Sequence, residues 1–288
     1  MSPVDSAGTG TNPDNATTTQ PAGFDFGPAW LFVPADRPDR YAKAAERADI
    51  VIIDLEDAVA PADKAAARQS VAENLLDPAR TVIRINPRDT EEFAADLDLL
   101  ATLPYTHVML PKAESAADSA PLSDYRVIAL IETARGAINL PEIAAAPEVV
   151  GLMWGSEDLI ADLGGGSSRL PSGGYRDVAL HVRSQTLLTG RAHGTWVLDS
   201  IWADIHDLDG LAAEATDAVE SGFDGKVSIH PKHIPVVRDA YRPTPEQLAW
   251  ARAVLELAET SAGAFSYEGK MIDAPLLKHA GHIVARDR

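Results

Sequence analysis

From Ala29 onward the chain alternates between two patterns of apolar and polar positions. Short apolar, often β-branched runs recur at AWLFV (29–33), IVIID (50–54), TVIRI (81–85), HVML (107–110), RVIALI (126–131), VVGLMW (149–154), TWVLD (195–199) and KVSI (226–229). Such runs read as strands. Between them lie Ala-rich stretches such as PADKAAARQSVAENLL and LDGLAAEATDAVESG, with apolar residues at i, i+3, i+4 and i+7 and charges opposite. Several begin at Asp, Thr or Pro and end at Gly, which are helix-edge signals. Eight strands alternating with helices predict an α/β fold, a parallel sheet closed into a (β/α)8 TIM barrel over residues 29–240. An open doubly wound sheet is the competing architecture, but no G-x-G-x-x-G follows the first strand. Residues 241–288 continue as a C-terminal helical arm with one short extended piece. The arm either packs on an adjacent protomer or covers the barrel's own wall, and its Met271, Leu276 and Leu277 call for burial.

Composition narrows the picture. Among 288 residues there is no Cys, so disulfides, thiolate metal sites and a cysteine nucleophile are excluded. That count fits a reducing cytoplasm, the expected location. The net charge of −18 argues against nucleic-acid and anionic-membrane partners, which need a cationic footprint. No run approaches the roughly 18 apolar residues of a bilayer span. Residues 1–28, rich in Ser, Thr, Asn, Gly and Pro, read as a disordered leader without signal-peptide character.

The chemistry-bearing residues gather at the C-terminal ends of the predicted strands, the end where a (β/α)8 barrel builds its site. They are Asp36 and Arg37, then Asp54, Glu56 and Asp57, Arg84 and Asn86, Lys112, Glu132, Glu157 and Asp158, Asp199, and His230. In V-I-R-I-N the period of two puts Arg84 and Asn86 on one face and Ile83 and Ile85 on the other. Arg84 therefore points into the barrel. A buried guanidinium is costly unless paired, so it needs carboxylates such as Asp54 and Glu56, an incoming anionic or carbonyl oxygen, or both. Glu132 and Asp158 end adjacent strands, roughly 4.8 Å apart, and two hard oxygen ligands with open positions suit Mg²⁺. The eight His are scattered, which disfavours zinc. The Gly- and Ser-rich segment 163–177 is a mobile loop over the mouth or a plain solvent loop. His230 and Lys232 are ligand contacts or turn residues. Lys112 or Lys226 could form a Schiff base, but with Glu132 and Asp158 close by an electrostatic role is the better reading. P-loop, H-E-x-x-H and G-x-S-x-G motifs are absent.

The stretches LFVPADRPDRYAKA, DIVIIDLEDAVAPADKAAAR, VIRINP, VMLPKAES, ALIETARGAINLPEIAAAP, GLMWGSEDLIADLGG, GFDGKVSIHP and GKMIDAPLLKHA resemble the citrate lyase β-subunit-like family of Mg²⁺-dependent (β/α)8 aldolases and lyases. The resemblance runs from Trp30 to about Ile283. It implies a carbon–carbon lyase that reversibly cleaves a 3-hydroxyacyl-CoA thioester, such as malyl-CoA or citramalyl-CoA, to acetyl-CoA and an α-keto acid (glyoxylate or pyruvate). A malyl-CoA-type thioesterase on the same site, and a non-catalytic or citrate-lyase-like subunit, are the alternatives. It further implies Glu132 and Asp158 as Mg²⁺ ligands and Arg84 as a catalytic residue on the thioester oxygen. Backbone N–H groups of Gly155, Ser156, Glu157 and Asp158 would hold the keto-acid carboxylate. Asp54 and Glu56 would organise the site, Glu56 counting with the catalytic set. Asp273 would be a catalytic carboxylate from the adjacent protomer of a homotrimer, and Arg37 and Lys43 would approach coenzyme A. One departure is visible: relatives often read H-P-x-Q where this chain has His230-Pro231-Lys232-His233.

Overall fold

The computed structural model describes residues 26–261 and 263–287. Its strands are β1 (Ala29–Pro34), β2 (Ile50–Asp54), β3 (Thr81–Arg84), β4 (His107–Leu110), β5 (Arg126–Ile131), β6 (Val149–Trp154), β7 (Trp196–Asp199) and β8 (Gly225–Ser228). All pair in parallel with their chain neighbours, and β8 returns to β1, closing the barrel. The helices around it are α1 (Tyr41–Arg47), α2 (Lys64–Glu73), α3 (Glu91–Leu100), α4 (Ala116–Ser119), α5 (Ala134–Ile138), α6 (Leu140–Ala144), α7 (Ser156–Asp162), α8 (Asp177–His193), α9 (Leu208–Ser221) and α10 (His233–Tyr241). Among the described residues no helix is long and apolar enough to cross a membrane.

The strand period of two sorts side chains into two cores. Trp30, Ile50, Ile52, Val82, Met109, Leu130, Met153 and Val227 fill the barrel interior. Leu31, Ile53, Ile83, Val108, Ile131, Leu152 and Val197 face the helices. Each buried Val, Leu or Ile contributes about 1.5–3 kcal/mol, so a one-residue slip of any strand is heavily disfavoured. Of the expected leader, residues 1–25 lie outside the described residues, while Phe26 packs edge-on against Trp30 and His107.

Two expectations fail at strand ends. Ile83 and Ile85 are fully buried among the helix-facing residues, as the alternation predicts, but the β3 ladder stops at Arg84. Asn86 then turns into the helical layer. It accepts from Lys64 Nζ at 2.7 Å and donates to Asp96 at 2.7 Å, so it does not share the face of Arg84. Asp199 also points away from the mouth, because Leu198 belongs to the interior core and its neighbour must face outward. Its carboxylate takes Arg183 Nε at 2.9 Å and Lys226 Nζ at 3.1 Å. Lys226 is itself fully buried there, which rules it out as a Schiff-base lysine facing substrate.

Beyond the barrel come α11 (Pro245–Thr260), the antiparallel hairpin β9 (Phe265–Tyr267) and β10 (Lys270–Ile272), and α12 (Ala274–Ala285). The hairpin turns through Glu268 and Gly269 at φ of 49° and 76°. Positive φ at both central residues matches strand twist. Ala251, Val254, Ile272, Ala280 and Ile283 form a small core of the arm's own. Met271 is 67% exposed within the single chain, contrary to the burial its side chain calls for.

Candidate active site

A cavity of about 350 Å³ opens at the C-terminal mouth of the barrel. Asp54, Asp57, Arg84, Glu132, Gly155, Ser156, Glu157 and Asp158 line it, with Phe32, Leu130, Met153, Ile201 and Ile229 as apolar walls and floor. Leu130 and Met153 lie two residues before Glu132 and Gly155 on paired strands, so they sit directly beneath the polar rim.

Arg84 is fixed by its neighbours on β2. Its Nε donates to Asp54 Oδ1 at 2.7 Å and Nη2 to Asp54 Oδ2 at 2.5 Å, a bidentate fork. Nη1 stands 3.1 Å from Glu56 Oε2. That contact is an ion pair out of hydrogen-bond alignment, since Glu56 Oε2 is buried without a donor. The guanidinium lies 4.5 Å from the centre of the Phe32 ring. Burial pulls its pKa down, but Asp54, Glu56 and Glu132 more than offset this, so it stays charged. A guanidinium has five N–H donors, and Asp54 takes two of them, so donors remain on the cavity side. Asp54 is held in turn by the N–H groups of Glu56 (2.9 Å) and Ala58 (3.2 Å).

Glu132 follows β5 and is almost wholly buried. Its Oε1 accepts from the backbone N–H of Lys112 at 3.1 Å. Burial first, then Glu56 and Asp158, raise its pKa to about 8 despite Lys112 and Arg84. Glu56 is raised for the same leading reason, its burial. Gly155 makes the close approach to Glu132 possible: a Cβ there would fall 2.7 Å from Glu132 Oε2. Lys112 Nζ lies 3.8 Å from both Glu132 Oε1 and Asp158 Oδ1, so one cation already stands between the two expected metal ligands. Among the described residues, Asp54, Glu56, Asp57, Glu132 and Asp158 at this mouth pair with Arg84 and Lys112 alone, an excess of negative charge. Among the described residues no three His, Asp or Glu side chains converge as a ready-made cage. Two carboxylates with open positions, in a cleft short of positive charge, are the donor set of a hard divalent ion that keeps waters or takes substrate oxygens.

The remaining expected residues divide. The Gly155 N–H is spent on Ile131 O at 3.0 Å and the Ser156 N–H on Ser200 Oγ at 3.3 Å. Glu157 turns its carboxylate to the hydroxyls of Ser156 and Ser168. Arg37 and Lys43 are exposed outside the cavity, and Arg37 pairs with Asp39. Asp273 caps α12 through the N–H of Leu276 and does not line the cavity of its own chain. His233 is fully buried beside His230, ring centres 6.0 Å apart, and does not line the cavity. The 163–177 segment is clasped at its base: Arg169 stacks on Tyr175 (4.0 Å) and Trp202 (4.3 Å) and pairs with Glu214 at 2.8 Å.

Sequence reasoning passed over Lys64, whose Nζ donates to the carbonyls of Leu55 and Glu56, each at 2.6 Å. It thereby fixes the turn that carries Glu56. The signal was present in its spacing, ten residues past Asp54 at the start of an Ala-rich helix, but nothing local marks that lysine as buried.

Comparison with known proteins places this geometry. The family model for HpcH/HpaI aldolase/citrate lyase matches residues 29–231, and that for a C–C bond lyase of the TIM-barrel fold matches 182–288. The crystal structure of protein CitE from Mycobacterium tuberculosis in complex with magnesium, acetoacetate and coenzyme A superposes with a TM-score of 0.88 at 57% identity, covering 91% of this chain and 98% of that one. A (3S)-malyl-CoA thioesterase of Cereibacter sphaeroides is 34% identical over 84% of this chain and 88% of its own length. A mitochondrial citramalyl-CoA lyase of Rattus norvegicus is 31% identical over 89% and 84%. A family model that spans the barrel from its first strand past its eighth, with such relatives over most of the length, makes this chain a member of the HpcH/HpaI aldolase/citrate lyase family.

Proposed function

We propose that the chain is a Mg²⁺-dependent carbon–carbon lyase that cleaves, reversibly, a 3-hydroxyacyl-CoA thioester to acetyl-CoA and a small α-keto acid. The observation that carries this reading is the pairing, across one cavity, of a charged Arg84 locked by Asp54 with the Glu132 and Asp158 carboxylates. Glu132 and Asp158 are the residues that would hold Mg²⁺, as a magnesium-bound relative supports. When bound, the ion supplies Lewis acidity to the hydroxyl and carboxylate oxygens of the keto-acid half.

The chain's own groups do the rest. The proton of the 3-hydroxyl leaves to a base, the C2–C3 bond breaks, and its electron pair passes to the thioester as an enolate. Arg84 binds the thioester oxygen, where that charge develops, through the donors Asp54 leaves open. The backbone N–H groups of Glu157 and Asp158, at the start of α7, bind the keto-acid carboxylate. Those of Gly155 and Ser156 are already spent. Leu130 and Met153 close the floor against water. Asp273 of an adjacent protomer, in a homotrimer, delivers the proton to C2, and Glu56 keeps Arg84 and Lys112 in place. Arg37 and Lys43, exposed outside the cavity, attract the coenzyme A phosphates.

Thioester hydrolysis on the same site is the second reading, favoured by the malyl-CoA thioesterase relative. Incubation with Mg²⁺ and either malyl-CoA or (S)-citramalyl-CoA separates the two. Acetyl-CoA plus glyoxylate or pyruvate supports the lyase. Free CoA plus malate or citramalate supports the thioesterase, and no turnover of either thioester contradicts both.

A further inference from the structure

Lys112 is a residue the fold strains. Pro111 follows β4, and Lys112 then adopts φ of 49°, the left-handed region that side chains with a Cβ avoid. Such backbone persists only where the surroundings over-determine it. Here it aims both ends of one residue at one carboxylate. The backbone N–H donates to Glu132 Oε1 at 3.1 Å, and the side chain returns so that Nζ stands 3.8 Å from that same oxygen. Nζ is also 3.8 Å from Asp158 Oδ1, 3.8 Å from Asp57 Oδ2 and 2.5 Å from Glu56 Oε1. Among the described residues it hydrogen-bonds Glu56 alone. The other three contacts are too long for hydrogen bonds yet short enough for strong attraction. The side chain is 33% exposed, and its flexible stem leaves the ammonium room to move.

We propose that Lys112 is the protein's own counter-cation for the Glu132–Asp158 pair: it holds the two carboxylates together without metal, stays on Glu56 and swings toward Asp57 when a divalent ion enters, and so sets the metal affinity. This rests on the reading of Glu132 and Asp158 as the metal ligands. The consequence has a sign. A strut that merely tied Glu56 to Glu132 would, once removed, loosen the ligands and weaken metal binding. A competing cation, once removed, strengthens it, because a positive charge about 4 Å from the ligands repels an incoming divalent ion.

The test is calorimetric titration of MgCl₂, with MnCl₂ as a second probe, into the full-length wild type, Lys112→Met and Lys112→Arg. Methionine keeps the Cβ and an unbranched stem, so the backbone demand at position 112 and the N–H bond to Glu132 are unchanged. Circular dichroism and a thermal melt confirm that each variant is folded, and Lys112→Gln replaces Lys112→Met if the latter is not. The expected result is binding at least about tenfold tighter in Lys112→Met than in the wild type, with Lys112→Arg within about threefold. Equal or weaker binding by folded Lys112→Met, against a wild type that binds, overturns the proposal and leaves the metal site standing. Absence of binding in all three proteins overturns the metal reading itself.

Discussion

Arg84 carries a structural role and the proposed chemical one in a single side chain. The Asp54 fork and the Glu56 ion pair make it part of a buried network, and its remaining donors face the cavity. These roles separate under substitution. Arg84→Lys keeps the charge but cannot reproduce the fork, so kcat/KM should fall about 10²–10³-fold while the unfolding midpoint moves little. Arg84→Ala leaves Asp54 buried without its cation and Glu56 with Lys112 alone, and should cost about 3–5 kcal/mol in urea unfolding. Full activity in Arg84→Lys would contradict the assignment of Arg84 to a substrate oxygen. Glu132→Gln should abolish Mg²⁺-dependent turnover yet unfold no more readily than wild type, because it removes a carboxylate crowded by Glu56 and Asp158. A marked fall in its unfolding midpoint would recast Glu132 as structural.

At the scale of elements, the eight strands and their order were legible because β-branched runs and helical periodicity agree at every step from Ala29 to Ser228. The inward face of Arg84 followed from Ile83 and Ile85 alone. Strand ends were harder to read. Alternation applies only while the ladder continues, and Asn86 and Asp199 sit where outward-facing partners, Lys64 with Asp96 and Arg183 with Lys226, decide direction. Those partners lie on other elements, so no local pattern announces them. The left-handed turn at Lys112 was equally hidden, since its cause is the position of Glu132 twenty residues later. Lys64 carries the most direct test at this scale. Lys64→Met removes the Lys64 donor from the Asn86 amide oxygen and leaves the Leu55 carbonyl only Asn86 Nδ2 and the Glu56 carbonyl only the Val59 N–H, and should destabilise by roughly 2–4 kcal/mol in urea. A loss below about 0.5 kcal/mol would mean that water replaces the ammonium and the network does not fix the Glu56 turn.

For the whole molecule, pH and assembly are the informative variables. His107 is buried near Phe26 at the N-terminal end of β4, and burial, helped by the charge of Arg126, lowers its pKa to about 4. Its unfolded value is about 6.5. Between these values the unfolded chain binds more protons, so stability rises with pH from about 4 to 6.5 and is level above. The amount at stake is roughly 3 kcal/mol, and His107→Gln should flatten that slope in thermal melts. An unchanged slope would assign acid sensitivity to other groups. Assembly bears on Asp273, which its own chain leaves outside the cavity, and on Met271, which its own chain leaves exposed. Mixing inactive Asp273→Asn with inactive Glu132→Gln subunits should restore partial activity once subunits exchange. No recovery after demonstrated exchange would count against a site shared between protomers.

The claim on which the rest depends is that Glu132 and Asp158 grip one divalent ion beside Arg84. Crystals soaked in Mn²⁺ and measured at the manganese edge report on it directly. The account predicts a single anomalous peak at the barrel mouth, about 2.1 Å from one oxygen of each carboxylate. Full occupancy of the soak elsewhere on the molecule, with no peak between these two side chains, would contradict it.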